Sequence, residues 1–275
     1  MRTLHLIFIF AFLFISCKNE SNKQDDDDGN KVAYNVPEVS ITSNAKGEGI
    51  IRALEEKSGR EHRETASVLY SYNNQNYRIE RNCGWFEFKQ DLSESGSDEV
   101  LKIDNMEVIQ LINERPRRDL ADTTKLRLIK NLKKKLFFLE LPFGLNSPTV
   151  QKEFLKTQEI KGKSLAELKV ELIEDNYDQA YLVESVFWVD EKADEIIYLA
   201  VKYGEDRKSV EFLKPINKRM IKGMQFQDYE VYRPRKNKDY ALVELAKAFE
   251  KDKLKKVKNI EYKNIRVSLR ENKCD

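Results

Sequence analysis

Hydrophobic and polar residues alternate with a period of two over long parts of this chain. Between Thr65 and Gln90 apolar side chains occupy every second position in three runs, which the polar turn at 73–75 and Gly84 separate. Alternation of this kind, interrupted by short turns, is typical of consecutive antiparallel strands. The sequence therefore predicts an antiparallel meander in this region.

The same alternation returns in the second half of the chain. The segment SLAELKVELIE (164–174) is rich in helix-forming residues, but its apolar positions alternate strictly, so we interpret it as a strand. Four further strand-like runs follow it up to Arg233, and NIEYKNIRVSL (259–269) closes the chain. The total is about nine or ten strands, mostly in sequence order.

Helical spacing is found in fewer places. Residues 47–59 and a segment that begins near Thr123 place apolar side chains three or four positions apart, and Pro142 ends the second segment. A serine followed by proline predicts a short helix over 147–154, and 239–252 predicts a final amphipathic helix.

These elements together predict an α+β fold in a single domain, residues 47–275. Because many short strands in one sheet tend to curl, split or close, we expect a strongly curved, half-barrel-like antiparallel sheet of about nine to ten strands. Three to four helices would pack inside it or across it.

The N-terminus carries a different pattern. A single early cation, Arg2, precedes an almost unbroken apolar block from Leu4 to Ile15. As a helix with about 1.5 Å rise per residue, this block would reach about 18 Å, short of the roughly 30 Å hydrocarbon core of a bilayer. Residues 1–16 are therefore predicted to be a signal peptide rather than a membrane-spanning helix.

The block ends at Phe14-Ile15-Ser16-Cys17, which resembles the lipidation site of bacterial lipoprotein signals. The resemblance implies that Cys17 is the first mature residue and carries a diacylglyceryl group and an acylated amine, with palmitate as the expected acyl chain. Such an anchor would hold the protein at a membrane, and an ordinary secretion signal with an incidental thiol is the alternative. The polar, acidic stretch 17–46 is then a flexible tether. The expected location is the cell envelope, at the outer membrane, facing either the surface or the periplasm.

Charge and cysteine content add two points. The chain has 49 basic and 47 acidic residues, spread widely, whereas a nucleic-acid-binding protein needs a concentrated basic face. We therefore expect no nucleic-acid partner.

With Cys17 acylated, Cys83 and Cys274 remain as an even pair in an oxidising compartment and can form a disulfide. Two free thiols are the alternative.

Signatures of catalysis and metal binding are not found along the chain. Of its two histidines, His5 lies in the signal, so His62 alone cannot build a two-histidine zinc site. The sequence has no G-x-S-x-G elbow and no glycine-rich phosphate loop. Glu184 and Asp190 form a candidate acid pair, but they flank an apolar strand. We expect no metal, no cofactor and no enzymatic activity, with a hydrolase that uses His62 or an acid pair as an alternative.

Three short motifs stand in the second half of the chain. They are an LP-x-x-L-x-x-P segment at 141–148, an aromatic strand ending in Asp at 187–190, and an N-x-R-x-x-x-G-x-x-F-x-D-Y run at 217–229. In these motifs the chain resembles a family of uncharacterised Bacteroidetes-type envelope lipoproteins. By looser analogy, the resemblance implies the curved half-barrel of lipoprotein carriers, and it implies no biochemical activity.

Aromatic residues are concentrated in the strands of the second half. Most aromatic residues in an antiparallel sheet pack in the core, but a cavity lined by them would accept a hydrophobic small molecule. The candidate cavity residues are Tyr181, Phe187, Trp188, Tyr198 and Phe226. We therefore expect a membrane-anchored, non-enzymatic binder of a hydrophobic ligand. A structural lipoprotein that contacts an envelope protein and takes no small ligand is the alternative.

Overall fold

The fold is seen in a computed structural model that describes residues 44–92, 98–105, 107–117, 119–172, 183–203, 210–235, 238–271 and 274. The predicted signal peptide, the lipidation site Cys17, nearly all of the predicted tether and the cavity candidate Tyr181 lie outside these ranges. The described residues belong to one compact unit.

Fourteen strands of the described residues form two antiparallel sheets of seven strands each. Sheet I contains β1 (Ala66–Tyr72), β2 (Gln75–Asn82), β3 (Trp85–Asp91), β4 (Glu99–Asp104), β5 (Val108–Ile112), β6 (Arg115–Arg117) and β14 (Lys263–Leu269). Sheet II contains β7 (Val150–Ile160), β8 (Lys163–Leu172), β9 (Val183–Asp190), β10 (Glu195–Tyr203), β11 (Glu211–Ile221), β12 (Met224–Pro234) and β13 (Leu254–Ile260).

Sheet II is a meander in sequence order, whereas sheet I is a meander to which β14 is added beside β1. The strand order is β14-β1-β2-β3-β4-β5-β6 in sheet I and β13-β12-β11-β10-β9-β8-β7 in sheet II. Only Glu261 and Tyr262 separate β13 from β14, so the chain passes directly from the edge of sheet II to the edge of sheet I. The predicted closing strand 259–269 is therefore shared between the two sheets.

Four α-helices accompany the sheets in the described ranges: α1 (Ala45–Lys57), α2 (Arg60–Arg63), α3 (Asp122–Glu140) and α4 (Leu245–Glu250), the last preceded by a 3-10 turn over Leu242–Glu244. Asn44 begins α1 because its side-chain oxygen accepts a 2.8 Å hydrogen bond from the Gly47 N–H. The same side chain also pairs with the backbone of Phe154 at the edge of sheet II.

The central strands of sheet II are buried on both faces. Alternate residues of β8 and β9 such as Leu168 and Phe187 join a large core that also takes side chains from sheet I, α1 and α3. Their neighbours Leu165 and Trp188 face the opposite way and form a second core under α4. Burial on both faces accounts for the dense aromatic content of these strands.

The α+β class, the meander β1–β3, the strand at β8 and helices α1 and α3 are confirmed. One sheet of about nine to ten strands is wrong, because the chain leaves sheet I after β6, passes through α3 and starts a second sheet at β7. The short strands β4 to β6 were missed. The predicted helix 147–154 is also wrong. Val150 starts β7 instead, whose backbone pairs with β8 along its whole length. The final helix is shorter than 239–252.

No helix among the described residues combines the length and the apolar character that crossing a bilayer requires.

Candidate functional site

A cleft of about 430 Å³ opens between the first half of α3 and sheet I. A more open depression of about 900 Å³ adjoins it and shares Arg117 and Asp119 with it. The cleft is lined by Leu92, Leu101, Gln110, Arg117, Asp119, Leu120, Ala121, Thr124, Arg127 and Leu128. Its volume falls within the range of small-molecule sites. We refer to it as the α3 cleft.

The floor of the α3 cleft is a row of side chains that crosses sheet I. Strand register places Gln90 opposite Leu101, Leu101 opposite Gln110, and Gln110 opposite Arg117. Directly paired residues of antiparallel strands share a face, with Cβ atoms about 5 Å apart. Leu101, Gln110 and Arg117 therefore line the cleft together because β4, β5 and β6 are short, in-register neighbours.

Glutamine side chains make this face of sheet I partly polar. The Gln110 amide donates to the Glu99 carboxylate, and the Gln90 amide donates a 2.7 Å hydrogen bond to Gln75 Oε1. The Tyr77 hydroxyl donates to the same Gln75 oxygen at 3.0 Å. These bonds fix both amides. Gln110 lines the cleft, and Gln90 lies on the other side of Leu101, just outside the lining.

Lys135 adds a cation next to the inner end of this row. Its Nζ donates a 3.0 Å hydrogen bond to Gln90 Oε1 and lies 5.3 Å from the centroid of the Tyr77 ring. Burial lowers the pKa of the Lys135 ammonium. Its hydrogen-bond and ring partners in the described part of the chain are neutral.

Helix α3 supplies the other wall. Leu128, Leu132, Leu136 and Leu139 are three or four positions apart and face the large core, which holds the helix against the sheets. Arg127 lies beside this stripe, lines the cleft and is exposed. At the opposite wall Arg117 Nε lies 3.2 Å from Asp119 Oδ1.

The far end of α3 is fixed to both sheets. Arg81 on β2 forms a two-bond ion pair with Glu140, with distances of 2.5 and 2.6 Å. The Tyr229 hydroxyl on β12 donates a 2.8 Å hydrogen bond to the Phe138 carbonyl. The cleft is therefore open at the first half of α3 and closed at the second half.

The aromatic residues that the sequence singled out do not lie together. Phe187 and Phe226 are buried in the large core, whereas Trp188 and Tyr198 are buried in the core under α4. Phe226 packs under the Arg63 guanidinium at 4.9 Å, and the Trp188 indole donates a 3.1 Å hydrogen bond to Glu167. None of these four lines the α3 cleft.

The other candidate residues have structural partners. The His62 ring packs on Gly223, so closely that a Cβ there would lie 2.4 Å from the ring. Glu184 pairs with Lys202 at 3.3 Å, and Asp190 accepts hydrogen bonds from the turn that follows β9. In the described ranges no group of three or more His, Cys, Asp or Glu residues is arranged to hold a metal ion.

Cys83 and Cys274 are joined by a disulfide. Their Cα atoms lie 5.2 Å apart, within the usual range for such a bond, and 191 positions separate them in sequence. The bond ties the turn between β2 and β3 to the end of the chain.

No pattern in the sequence is strong enough to locate the α3 cleft. Its helix wall was predicted, but its floor comes from β4 to β6, which were not. In β4 the apolar residues Leu101 and Ile103 alternate with Lys102 and Asp104, as in a strand, but the run Val108–Ile112 shows no such alternation.

The family model described as a family of unknown function, DUF6503, matches residues 65–262. No curated protein matches the chain. Among solved structures, a domain described as outer membrane lipoprotein-sorting protein from Vibrio parahaemolyticus is 12% identical, with a TM-score of 0.39, over 68% of this chain and 85% of that one. A DUF1329 family protein from Desulfovibrio piger is 9% identical, with a TM-score of 0.37, over 82% and 93%. Likeness of this degree carries no inference about function.

Proposed function

Since the chain belongs to the DUF6503 family, whose function is unknown, we propose its function from its own geometry. The protein is a non-enzymatic binding module of the cell envelope that takes a hydrophobic small molecule in the α3 cleft. The observation that carries this proposal is the cleft itself, about 430 Å³ in volume, with four leucines in its walls.

Burial of leucine side chains supplies the binding energy in this proposal. Leu101 is almost fully buried, whereas Leu92, Leu120 and Leu128 are half-buried, so apolar surface remains for a ligand to cover. Each square ångström of apolar surface removed from water contributes about 25 cal/mol. The site differs from the aromatic cavity that the sequence suggested, because those aromatic side chains are buried in two separate cores, where Trp188 and Tyr198 pack on Phe212.

Binding is tested with N-phenyl-1-naphthylamine, a neutral probe whose fluorescence rises in apolar surroundings. We use the predicted mature chain, residues 17–275, with Cys17→Ser, which lacks both the apolar signal peptide and the lipid-attachment sulfur. We expect saturable binding at micromolar probe, and Thr124→Trp, which fills the cleft, should weaken it about tenfold or more.

Thr123→Trp is the matched control, because Thr123 is the exposed neighbour on the same turn of α3 and does not line the cleft. This variant should bind the probe like the parent chain. No saturable binding, or equal loss in both variants, would refute the proposal.

Anchoring at the membrane through Cys17 is the second part of the proposal. A polar tether after an acylated cysteine would place the folded domain within reach of envelope lipids. Mass spectrometry of the mature chain should find acyl groups on Cys17, and Cys17→Ala should release the protein from membranes. An unmodified thiol at this position would overturn this part and leave the cleft proposal standing.

A further inference from the structure

The walls of the α3 cleft differ from those of a purely apolar pocket. Two guanidinium groups, Arg117 and Arg127, line it together with one carboxylate, Asp119. No aromatic side chain is among the described residues that line it. A sugar ring or a flat aromatic ligand would therefore find no stacking partner, whereas a flexible alkyl chain fits between leucines.

Arg127 is free to bind a ligand. It is exposed, lines the cleft, and no ion pair or side-chain hydrogen bond of the described residues engages it. Arg117 contacts Asp119 through Nε at 3.2 Å. A guanidinium presents five donors in a planar fork, which matches the two oxygens of a carboxylate.

The charge of the surroundings also favours an anion. Lys135 lies beside the inner end of the cleft floor, and its hydrogen-bond partner there is the neutral amide of Gln90. With Arg117 and Arg127 it makes three cations. The nearby carboxylates are two, Asp119 and Glu99, the second of which accepts from the Gln110 amide in the cleft floor, so an anionic ligand is favoured over a cationic one.

From this arrangement we infer that the ligand is a long-chain alkyl carboxylate, an inference that rests on the proposed function. The carboxylate binds Arg117 and Arg127 at the exposed side of the cleft. The alkyl chain lies along Leu92, Leu101, Leu120 and Leu128. The opposite orientation, with the carboxylate at Lys135, is the competing one.

The test is displacement of N-phenyl-1-naphthylamine by dodecanoate and by 1-dodecanol, which share the alkyl chain and differ in head-group charge. In the same mature chain with Cys17→Ser, dodecanoate should displace the probe at about tenfold lower concentration than the alcohol, because charge-assisted hydrogen bonds strengthen its binding. Arg127→Gln and Arg117→Gln should each reduce this preference several-fold and leave displacement by dodecanol unchanged.

Arg52→Gln is the matched control, because Arg52 is exposed on α1, away from the cleft, and should keep the full preference. Equal displacement by both competitors would overturn the inference while probe binding still supports the proposed function. Loss of the preference in Lys135→Met but not in Arg127→Gln would overturn the assigned orientation. Absence of probe binding would instead refute the proposed function, and this inference with it.

Discussion

The buried carboxylate of Asp228 accepts a 3.0 Å hydrogen bond from the backbone N–H of Tyr262, where the chain passes from sheet II to sheet I. Arg219 Nη2 donates both to Asp228 Oδ1, at 3.1 Å, and to the Tyr262 carbonyl, at 2.7 Å. Asn217 donates to the other carboxylate oxygen at 3.1 Å. The 217–229 motif therefore holds the crossing between the two sheets, which is a structural role.

Replacement of Asp228 should destabilise the fold. In Asp228→Asn, one carboxylate oxygen becomes an N–H₂ group that faces a hydrogen-bond donor and cannot accept from it. The Arg219 guanidinium also loses its charged partner. We therefore expect a loss of about 2–4 kcal/mol in the free energy of unfolding. Urea denaturation followed by circular dichroism measures this loss. Glu261→Gln, at the exposed residue before Tyr262, should change stability by less than about 0.5 kcal/mol. Equal stabilities of the two variants would show that the crossing does not depend on Asp228.

Gly59 is required by a close contact as well as by its backbone conformation. Its φ is +82°, and a Cβ there would lie 1.8 Å from the Gly223 carbonyl oxygen. Gly162 has a similar φ of +74° with nothing within 4 Å of its Cβ position. Gly162→Ala should therefore lose about 1 kcal/mol from strain alone, and Gly59→Ala about 1–3 kcal/mol more. Similar urea midpoints for both would contradict the contact.

Reduction of the disulfide between Cys83 and Cys274 should lower stability by about 2–4 kcal/mol, because the bond closes a long loop in the unfolded chain. Urea midpoints with and without dithiothreitol measure the effect. The Cys83→Ser/Cys274→Ser double variant is the control, since the reductant should leave it unchanged. Two titratable thiols in the unreduced, unfolded Cys17→Ser chain would show that the bond is absent.

The stability of the fold should fall in acid partly through Glu230. A 2.9 Å hydrogen bond from Lys256 is the main cause that lowers the pKa of Glu230 to about 2, and the Tyr232 hydroxyl assists. A carboxyl whose pKa is lower in the folded state stabilises it above the ordinary pKa, and this contribution is lost as pH falls from 4.5 towards 2.

Glu230→Gln should lack this contribution, about 1 kcal/mol for a partly exposed network, and should lose less stability over that interval. Urea midpoints of both proteins measured from pH 6 to about pH 2 supply the comparison. Parallel pH profiles would rule out a contribution from Glu230.

Local patterns succeeded where neighbouring residues alone decide the structure. Alternation around Val68 and Ile79 predicted the first hairpin correctly, because those strands pair through a two-residue turn. The helix expected at 147–154 is wrong although it also rests on a local signal. Its serine and proline favour a helix start, but Val150 lies at the open end of the long β7–β8 hairpin, where its backbone pairs with Leu172. Such pairing outweighs a local cap signal.

The candidate site was likewise predictable only where a local pattern decides the structure. Phe187 and Trp188 were grouped as one cavity, but adjacent strand residues point to opposite faces, and sheet II is covered on both. Strand periodicity alone would have separated them, whereas the presence of helix α4 on the second face could not be deduced from it. Arg127 gave no signal in the sequence, because a single arginine on an amphipathic helix is usually a solvated surface residue.

The sequence by itself determined the α+β class, the meander at the start of the fold and the main helices, since each follows from a repeat of apolar side chains along a short segment. Only the tertiary structure decided that the strands form two sheets and that the chain passes from one to the other at Tyr262. It also decided that Cys83 is bonded to Cys274 and that α3 leaves a cleft over β4 to β6. These features depend on contacts between residues far apart in the chain. The free energies that favour one set of such contacts over another cannot be deduced from the pattern of residues within a short segment.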